Sequence, residues 1–126
     1  MFDFERLDVY QHVKDLNIKV LTFLNEHSEM DQYLREKWRK ASLAVVTKLT
    51  HGTQKMSSQD KKRQLSVARA NVFKAVAIIE TLKGMGMMEE SVHQEFYDAY
   101  EKASKMLLGM LRSYNKDTKE TRETGE

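Results

Sequence analysis

Apolar residues recur along this chain every three or four positions, which is the spacing of a helix that buries one face. Four such stretches follow one another, and they predict helices over about residues 5–25, 31–51, 59–83 and 89–114. The predicted core positions are Val9, Val13, Leu16, Val20 and Phe23; Leu34, Trp38, Ala41, Val45 and Leu49; Leu65, Ala68, Val72, Ala75, Ile79 and Leu82; and Val92, Phe96, Ala99, Ala103, Met106 and Met110.

Polar residues and glycines mark the predicted helix ends. Asp31 and Ser58 stand where N-caps belong, since their side chains can accept from free backbone N–H groups. Gly52 is expected to end the second helix, and the pair Gly84 and Gly86 to end the third. Four helices joined by short loops predict an all-α, up-down-up-down bundle with antiparallel neighbours, formed by residues 1–114.

Two features lie outside this pattern. Residues 115–126 carry no apolar side chain after Asn115, and we predict that they form a disordered, charged tail. The first and fourth helices also carry apolar residues beside their main stripes. These either are ordinary exposed side chains or form a subunit interface. They include Tyr10, Ile18, Tyr100, Leu108 and Leu111.

Composition narrows the class of protein. The 126 residues contain no proline and five glycines, which disfavours the many turns of a β-sandwich. They contain no cysteine, which excludes disulfides, thiolate metal sites and a cysteine nucleophile. No apolar run approaches the ~20 residues of a membrane span. The first residues are acidic and amphipathic, unlike a signal peptide, so we expect a cytoplasmic protein.

The charge is segregated along the chain although its net value is only +2. Residues 1–34 carry a balance of −4, residues 35–74 one of +9, and residues 75–126 one of −3. The basic middle predicts either contact with nucleic-acid phosphates or pairing with the acidic helices. The candidate nucleic-acid-binding residues flank the loop between the second and third helices. They are Arg35, Arg39, Lys48, Lys55, Lys61, Lys62 and Arg63.

The sequence offers little for catalysis or for a metal. Glu90 and His93 form one Glu-x-x-His step, whereas a di-iron bundle needs two such steps, and Val92 is the member placed on the core stripe. Ser42 and His51 lie about 13 Å apart along one helix, too far for a nucleophile and its base. No glycine-rich phosphate loop is present. We therefore expect no enzyme, no metal site and no cofactor.

Several short motifs occur in an order that resembles a known family. Phe4, Leu7, Val9, Tyr10 and Gln11 form an F-x-x-L-x-V-Y-Q element. An Arg-Lys-Ala-Ser sequence at 39–42, a glycine at 52, an Ala-Arg pair at 68–69 and a Met-Leu pair at 106–107 follow in turn. Together they resemble the four-helix-bundle proteins related to the 23S rRNA intervening-sequence proteins, over about residues 2–114.

The resemblance implies a bacterial protein that assembles as a homopentamer. A related branch comprises the accessory variability proteins of diversity-generating retroelements, which partner a reverse transcriptase and its RNA. The chain departs from the family at two commonly acidic positions, where His51 and Lys74 stand. We therefore expect a non-catalytic homo-oligomeric adaptor that contacts RNA or DNA. The alternatives are a reverse-transcriptase accessory subunit and a purely structural or protein-partner bundle.

Overall fold

Four α-helices account for most of the chain. The computed structural model describes residues 1–123, and the side chains of residues 1–115. A short 3₁₀ helix, Asp3–Arg6, precedes the four α-helices. These are α1 (Asp8–Glu26), α2 (Gln32–Gln54), α3 (Ser58–Gly84) and α4 (Glu90–Glu123). The prediction of an all-α fold with four helices is confirmed.

Cross-helix hydrogen bonds show that neighbouring helices run antiparallel. Ser42 of α2 donates to Asn17 of α1, while the earlier Arg35 donates to the later Leu24 carbonyl of α1. The same reversal relates α3 and α4, where Lys62 donates to Asn115 and Arg69 to Ser104. Each helix therefore packs alongside the one before it, and α4 also contacts α1.

The helix starts differ from the prediction at two places. The first helix does not run from about residue 5, because Leu7 adopts an extended conformation (φ −74°, ψ 131°) and separates the 3₁₀ helix from α1. Asp31 caps α2 as predicted and accepts from the backbone N–H of Leu34 at 2.9 Å. The N-cap of α3 is Ser57 rather than Ser58, since the Ser57 hydroxyl accepts from the N–H of Asp60 at 3.1 Å.

The two predicted glycine terminators behave differently. Gly86 lies two residues after the last residue of α3 and adopts the left-handed conformation (φ 74°) that closes the helix, and the N–H of Met87 donates to the Leu82 carbonyl at 2.9 Å. Gly52 does not end α2, which continues to Gln54. Gly52 is instead a contact point between helices, where an added Cβ would lie 3.2 Å from Cγ of Leu65.

The core follows the predicted stripes on α1, α2 and α3, except that Phe23 and Leu34 are half-buried, and it follows the predicted stripe of α4 only in part. Every predicted core residue of α3 is buried, together with Ile78. On α4 the predicted Phe96 and Ala103 are buried, whereas the predicted Val92, Ala99, Met106 and Met110 are only half-buried. The buried residues of α4 are His93, Phe96, Tyr100, Ala103 and Leu107.

The predicted tail begins inside the last helix. The α4 helix continues past residue 114 to Glu123, and its sequence there contains neither glycine nor proline to break it. Residues 124–126, the rest of the predicted tail, lie outside the described residues. Over the described part of the chain, none of the helices combines the length and apolarity needed to cross a membrane.

Candidate nucleic-acid interface

Four of the seven candidate residues come together where α2 ends and α3 begins. Only residues 55–57 separate the two helices, so the basic side chains on either side of this loop share one end of the bundle. We call this surface the basic end. It consists of Lys55, Lys61, Lys62 and Arg63.

Contacts to α4 hold part of the basic end in place. The ammonium of Lys61 lies 5.2 Å from the ring centroid of Tyr114, within cation–π distance. The ammonium of Lys62 donates to the side-chain oxygen of Asn115 at 3.0 Å. Neither lysine needs a carboxylate partner for this placement, so both positive charges stay uncompensated by these contacts.

Arg35 and Arg39 lie in the opposite half of α2. Along the helix, Arg35 is about 30 Å from Lys55, several times the screening length of about 8 Å at physiological salt. The Arg35 guanidinium donates to the carbonyl of Leu24 at 2.8 Å and so satisfies the end of α1. Arg39 pairs with Glu36 at 3.9 Å on its own helix. The structure therefore does not bring these two arginines to the basic end.

Lys48 occupies an intermediate place. It lies about 9 Å of helix rise before the end of α2 and is half-buried. It stands nearer the basic end than either arginine, but on the body of the helix rather than beside the loop.

The ion pairs formed by the candidate residues are local. Arg63 pairs with Asp60 at 3.3 Å, three residues earlier on α3, and Arg39 pairs with Glu36 in the same way. Among the described side chains, an ion pair does link α1 to α4, but it joins Lys19 to Glu95 at 3.6 Å. The alternative in which the basic middle pairs with the acidic helices therefore gains no support from these contacts.

An aromatic cleft adjoins the basic end, and sequence reasoning missed it. The 3₁₀ helix packs near the end of α2 and the second half of α4, enclosing a volume of about 630 Å³. The ring of Phe2 stacks on that of Phe4 with centroids 5.8 Å apart and planes within 5° of parallel. We call this the aromatic cleft. It is lined by Phe2, Asp3, Phe4, Leu7, Thr53, Gln54, Met110 and Tyr114.

A second, smaller groove runs between α3 and α4. It has a volume of about 360 Å³, and Phe73 on its wall is 51% exposed. The guanidinium of Arg69 lies 4.8 Å from the Phe73 ring centroid and donates to the Ser104 hydroxyl at 3.2 Å. Arg69 is therefore held between α3 and α4 by hydrogen bonds and a cation–π contact.

The Glu-x-x-His step does not sit as predicted. His93, rather than Val92, is the buried member, and its Nε2 lies 2.9 Å from a carboxylate oxygen of Glu80 on α3. Its Nδ1 is buried and has no hydrogen-bond partner among the side chains and backbone that the structure describes. Within the described residues, no three histidine or acidic side chains are grouped in a way that could hold a metal ion.

Comparison with known proteins identifies the family to which the chain is similar. A model of the 23S rRNA-intervening sequence protein family matches residues 5–109. The fold is similar to that of a protein of unknown function from the S23 ribosomal protein family of Bacteroides thetaiotaomicron VPI-5482, with a TM-score of 0.78. The two share 10% identity over 82% of this chain and 97% of the other, so the likeness concerns the fold alone. No curated protein matches the chain. The chain belongs to the 23S rRNA-intervening sequence protein family.

Proposed function

We propose that this protein is a non-catalytic, homo-oligomeric bundle that binds the phosphate backbone of RNA or DNA through its basic end. The observation that carries the proposal is the convergence of Lys55, Lys61, Lys62 and Arg63 beside one short loop. Lysines and arginines clustered in this way neutralise phosphates without reading base sequence. Lys48 extends the same surface along α2.

Local contacts make the basic end suitable for this role. Among the described side chains, Lys61 and Lys62 contact Tyr114 and Asn115 rather than a carboxylate, which favours binding of phosphates by both ammonium groups. Arg63 does have a carboxylate partner, but the Arg63–Asp60 pair is exposed and therefore weak. A phosphate that approaches this arginine can replace its carboxylate partner at little cost.

Assembly into a homo-oligomer, a pentamer as the resemblance implies, would multiply this surface. Large apolar side chains are exposed on the outside of three different helices, namely Ile18 on α1, Leu43 on α2 and Phe73 on α3. Faces of this kind favour contacts between copies. Each copy adds one basic end, so a nucleic acid that reaches several ends would bind with avidity.

The proposal is tested by electrophoretic mobility shift across a salt series. We expect the wild-type protein to bind RNA at about 50 mM salt and to lose affinity as salt rises, because phosphate binding releases counterions. The double variant Lys61→Glu with Lys62→Glu should weaken binding and flatten the salt dependence. The logarithmic slope should fall by about 0.7 to 0.9 for each phosphate that the variant no longer neutralises.

A matched control removes the same number of positive charges elsewhere. Lys37→Glu with Lys40→Glu changes the net charge equally but lies in the half of α2 that carries Arg35 and Arg39. This variant should retain most of the affinity. Three results would contradict the proposed role of the basic end. They are an affinity that does not change with salt concentration, absence of binding at low salt, and an equal loss of affinity in the two double variants.

A further inference from the structure

The aromatic cleft gives the basic end a feature that phosphate binding alone does not explain. Phe2 is 70% exposed, yet its ring is held parallel to that of Phe4. Phe4 in turn meets Tyr10 edge-on, with centroids 4.9 Å apart. An aromatic side chain that is both exposed and held in a fixed orientation offers a flat face to a planar ligand.

The cleft and the basic end share a wall. Tyr114 lines the cleft, and the ammonium of Lys61 lies 5.2 Å from the Tyr114 ring centroid. Gln54 lines the cleft from the end of α2, and Lys55 follows it in the chain. A group in the cleft therefore lies within reach of the cations of the basic end, while Thr53 and Gln54 supply polar atoms beside it.

The charge at this end favours an anionic occupant. Among the described side chains, the cations of the basic end are Lys55, Lys61, Lys62 and Arg63, and the carboxylates of the 3₁₀ helix and of the first turn of α3 are Asp3, Glu5 and Asp60. Two of these carboxylates are already engaged. Glu5 accepts from the backbone N–H of Phe2 at 2.6 Å, and Asp60 pairs with Arg63. Asp3 lines the cleft, where it can accept from an amino group.

We propose that the aromatic cleft receives an unstacked base of single-stranded nucleic acid while the basic end binds the adjoining phosphates. The cleft volume of about 630 Å³ falls in the range of small-molecule sites, roughly 300–1,000 Å³. A positively charged surface combined with aromatic side chains is how sequence-tolerant proteins bind single strands. A duplex keeps its bases stacked inside the helix, so the cleft selects single strands over duplexes.

This inference rests on the proposed phosphate-binding function and adds a ligand class to it. The test compares the full-length protein binding oligothymidylate of about 16 nucleotides and a duplex of equal length, by fluorescence anisotropy at low salt. We expect the single strand to bind more tightly. Phe2→Ala should weaken single-strand binding about fivefold to 150-fold, the usual effect of removing one stacking side chain, and leave duplex binding unchanged.

Tyr33→Ala is the matched control. Tyr33 is 67% exposed and has a neighbouring cation, since the ammonium of Lys37 lies 5.3 Å from its ring centroid, but it stands at the start of α2, far from the basic end. Its removal should leave single-strand affinity unchanged. An equal loss of affinity in Tyr33→Ala and Phe2→Ala would overturn the proposal, because the effect would not depend on the cleft.

A second variant reports stacking directly. Phe2→Trp adds an exposed indole, whereas the natural Trp38 is 0% exposed and remains shielded from the ligand. Saturating oligothymidylate should quench the new fluorescence, and the duplex should not. No quenching by a saturating single strand would overturn the proposal even if Phe2→Ala proved unstable.

The remaining outcomes separate the two proposals. Binding that depends on Lys61 and Lys62 but not on Phe2 would overturn the cleft and leave the phosphate-binding function standing. No binding of either nucleic acid by the wild-type protein would overturn both. If Phe2→Ala instead lowers the oligomer mass in light scattering with no change in single-strand affinity, the cleft is a protein interface and the base-binding proposal fails.

Discussion

Hydrogen bonds link three buried side chains, Trp38, Tyr100 and Ser42, to the half-buried Asn17. The indole N–H of Trp38 donates to the hydroxyl of Tyr100 at 2.8 Å, and Tyr100 is also hydrogen-bonded to Ser42. Ser42 in turn donates to the side-chain oxygen of Asn17 at 2.8 Å. These hydrogen bonds join α4 to α2 and α1, and loss of the Tyr100 hydroxyl would leave the buried polar groups of Trp38 and Ser42 without this partner.

Burial of Tyr100 causes the free energy of unfolding to decrease at alkaline pH. Desolvation raises the pKa of Tyr100 from 10.0 to about 12, against smaller opposing effects of its hydrogen bonds with Trp38 and Ser42. The unfolded chain therefore loses this proton at lower pH than the folded protein does. The stabilisation of the fold by the protonated phenol is fully present below pH 10. It falls by about 1.4 kcal/mol per pH unit as the pH rises from about 10 to about 12.

Tyr100→Phe should lower the free energy of unfolding at neutral pH by about 1–3 kcal/mol, because Trp38 loses its buried acceptor. The variant has no phenol to titrate, so its stability gap to the wild-type protein should narrow as the pH rises from about 10 to about 12. Urea unfolding in steps of pH measures both effects. Tyr33→Phe, at an exposed position, should match the wild-type protein at neutral pH. A gap that stays constant across this pH range would contradict the assigned cause.

At the scale of the helices, the spacing of apolar residues predicted α1, α2 and α3 well because each has one apolar side. On α4 it was right for Phe96 and Ala103 and wrong at the other positions, because this helix has a broad apolar face on which the spacing fits Val92 as well as His93. What decides between them is the partner that each finds on another helix. His93 meets Glu80, and Tyr100 meets Trp38. Single-sequence periodicity carries no information about such partners.

Gly52 also shows what sequence alone cannot predict, here because the residue type suggested the wrong role. A glycine near the predicted end of a helix favours a terminator, yet here it allows α2 and α3 to approach at Leu65. Its special backbone freedom is not used, because it lies inside the helix. The aromatic cleft could not be predicted from the sequence either. It forms where the 3₁₀ helix packs against α4, and its residues Phe2 and Tyr114 are far apart in the sequence.

Substitution of two helical glycines separates close packing from helix propensity. Gly109→Ala on α4 places its added Cβ more than 4 Å from any described neighbouring atom and should stabilise the protein by about 0.5–1 kcal/mol. Gly52→Ala gains the same propensity but places its Cβ 3.2 Å from Leu65, a buried side chain that cannot move freely. Overpacking costs typically about 1–3 kcal/mol, so this variant should be less stable than Gly109→Ala. Equal stabilisation in thermal or urea unfolding would show that Leu65 yields without cost.

For the whole molecule, the distribution of exposed apolar residues bears on assembly. We considered an interface on the first and fourth helices that included Tyr100, but Tyr100 is in the core. Ile18 is exposed as that interpretation required, whereas Tyr10 and Leu111 pack partly against the core. Among the described residues of the four α-helices, the large apolar side chains that are exposed lie on α1, α2 and α3. Two different faces of one bundle can join head to tail, and such contacts close into rings when the rotation between copies allows it.

Phe73 is the residue through which the proposed assembly can best be tested. Its ring is half exposed beside the groove between α3 and α4, and Arg69 keeps it in place. Phe73→Ser should therefore leave the fold intact and shift the mass measured by light scattering at micromolar concentration from the oligomer toward the monomer. Tyr33→Ser removes an aromatic ring of similar exposure at the start of α2 and should leave the mass unchanged. A wild-type protein that scatters as a monomer would exclude the ring, and the basic end would then have to bind nucleic acid one copy at a time, without avidity.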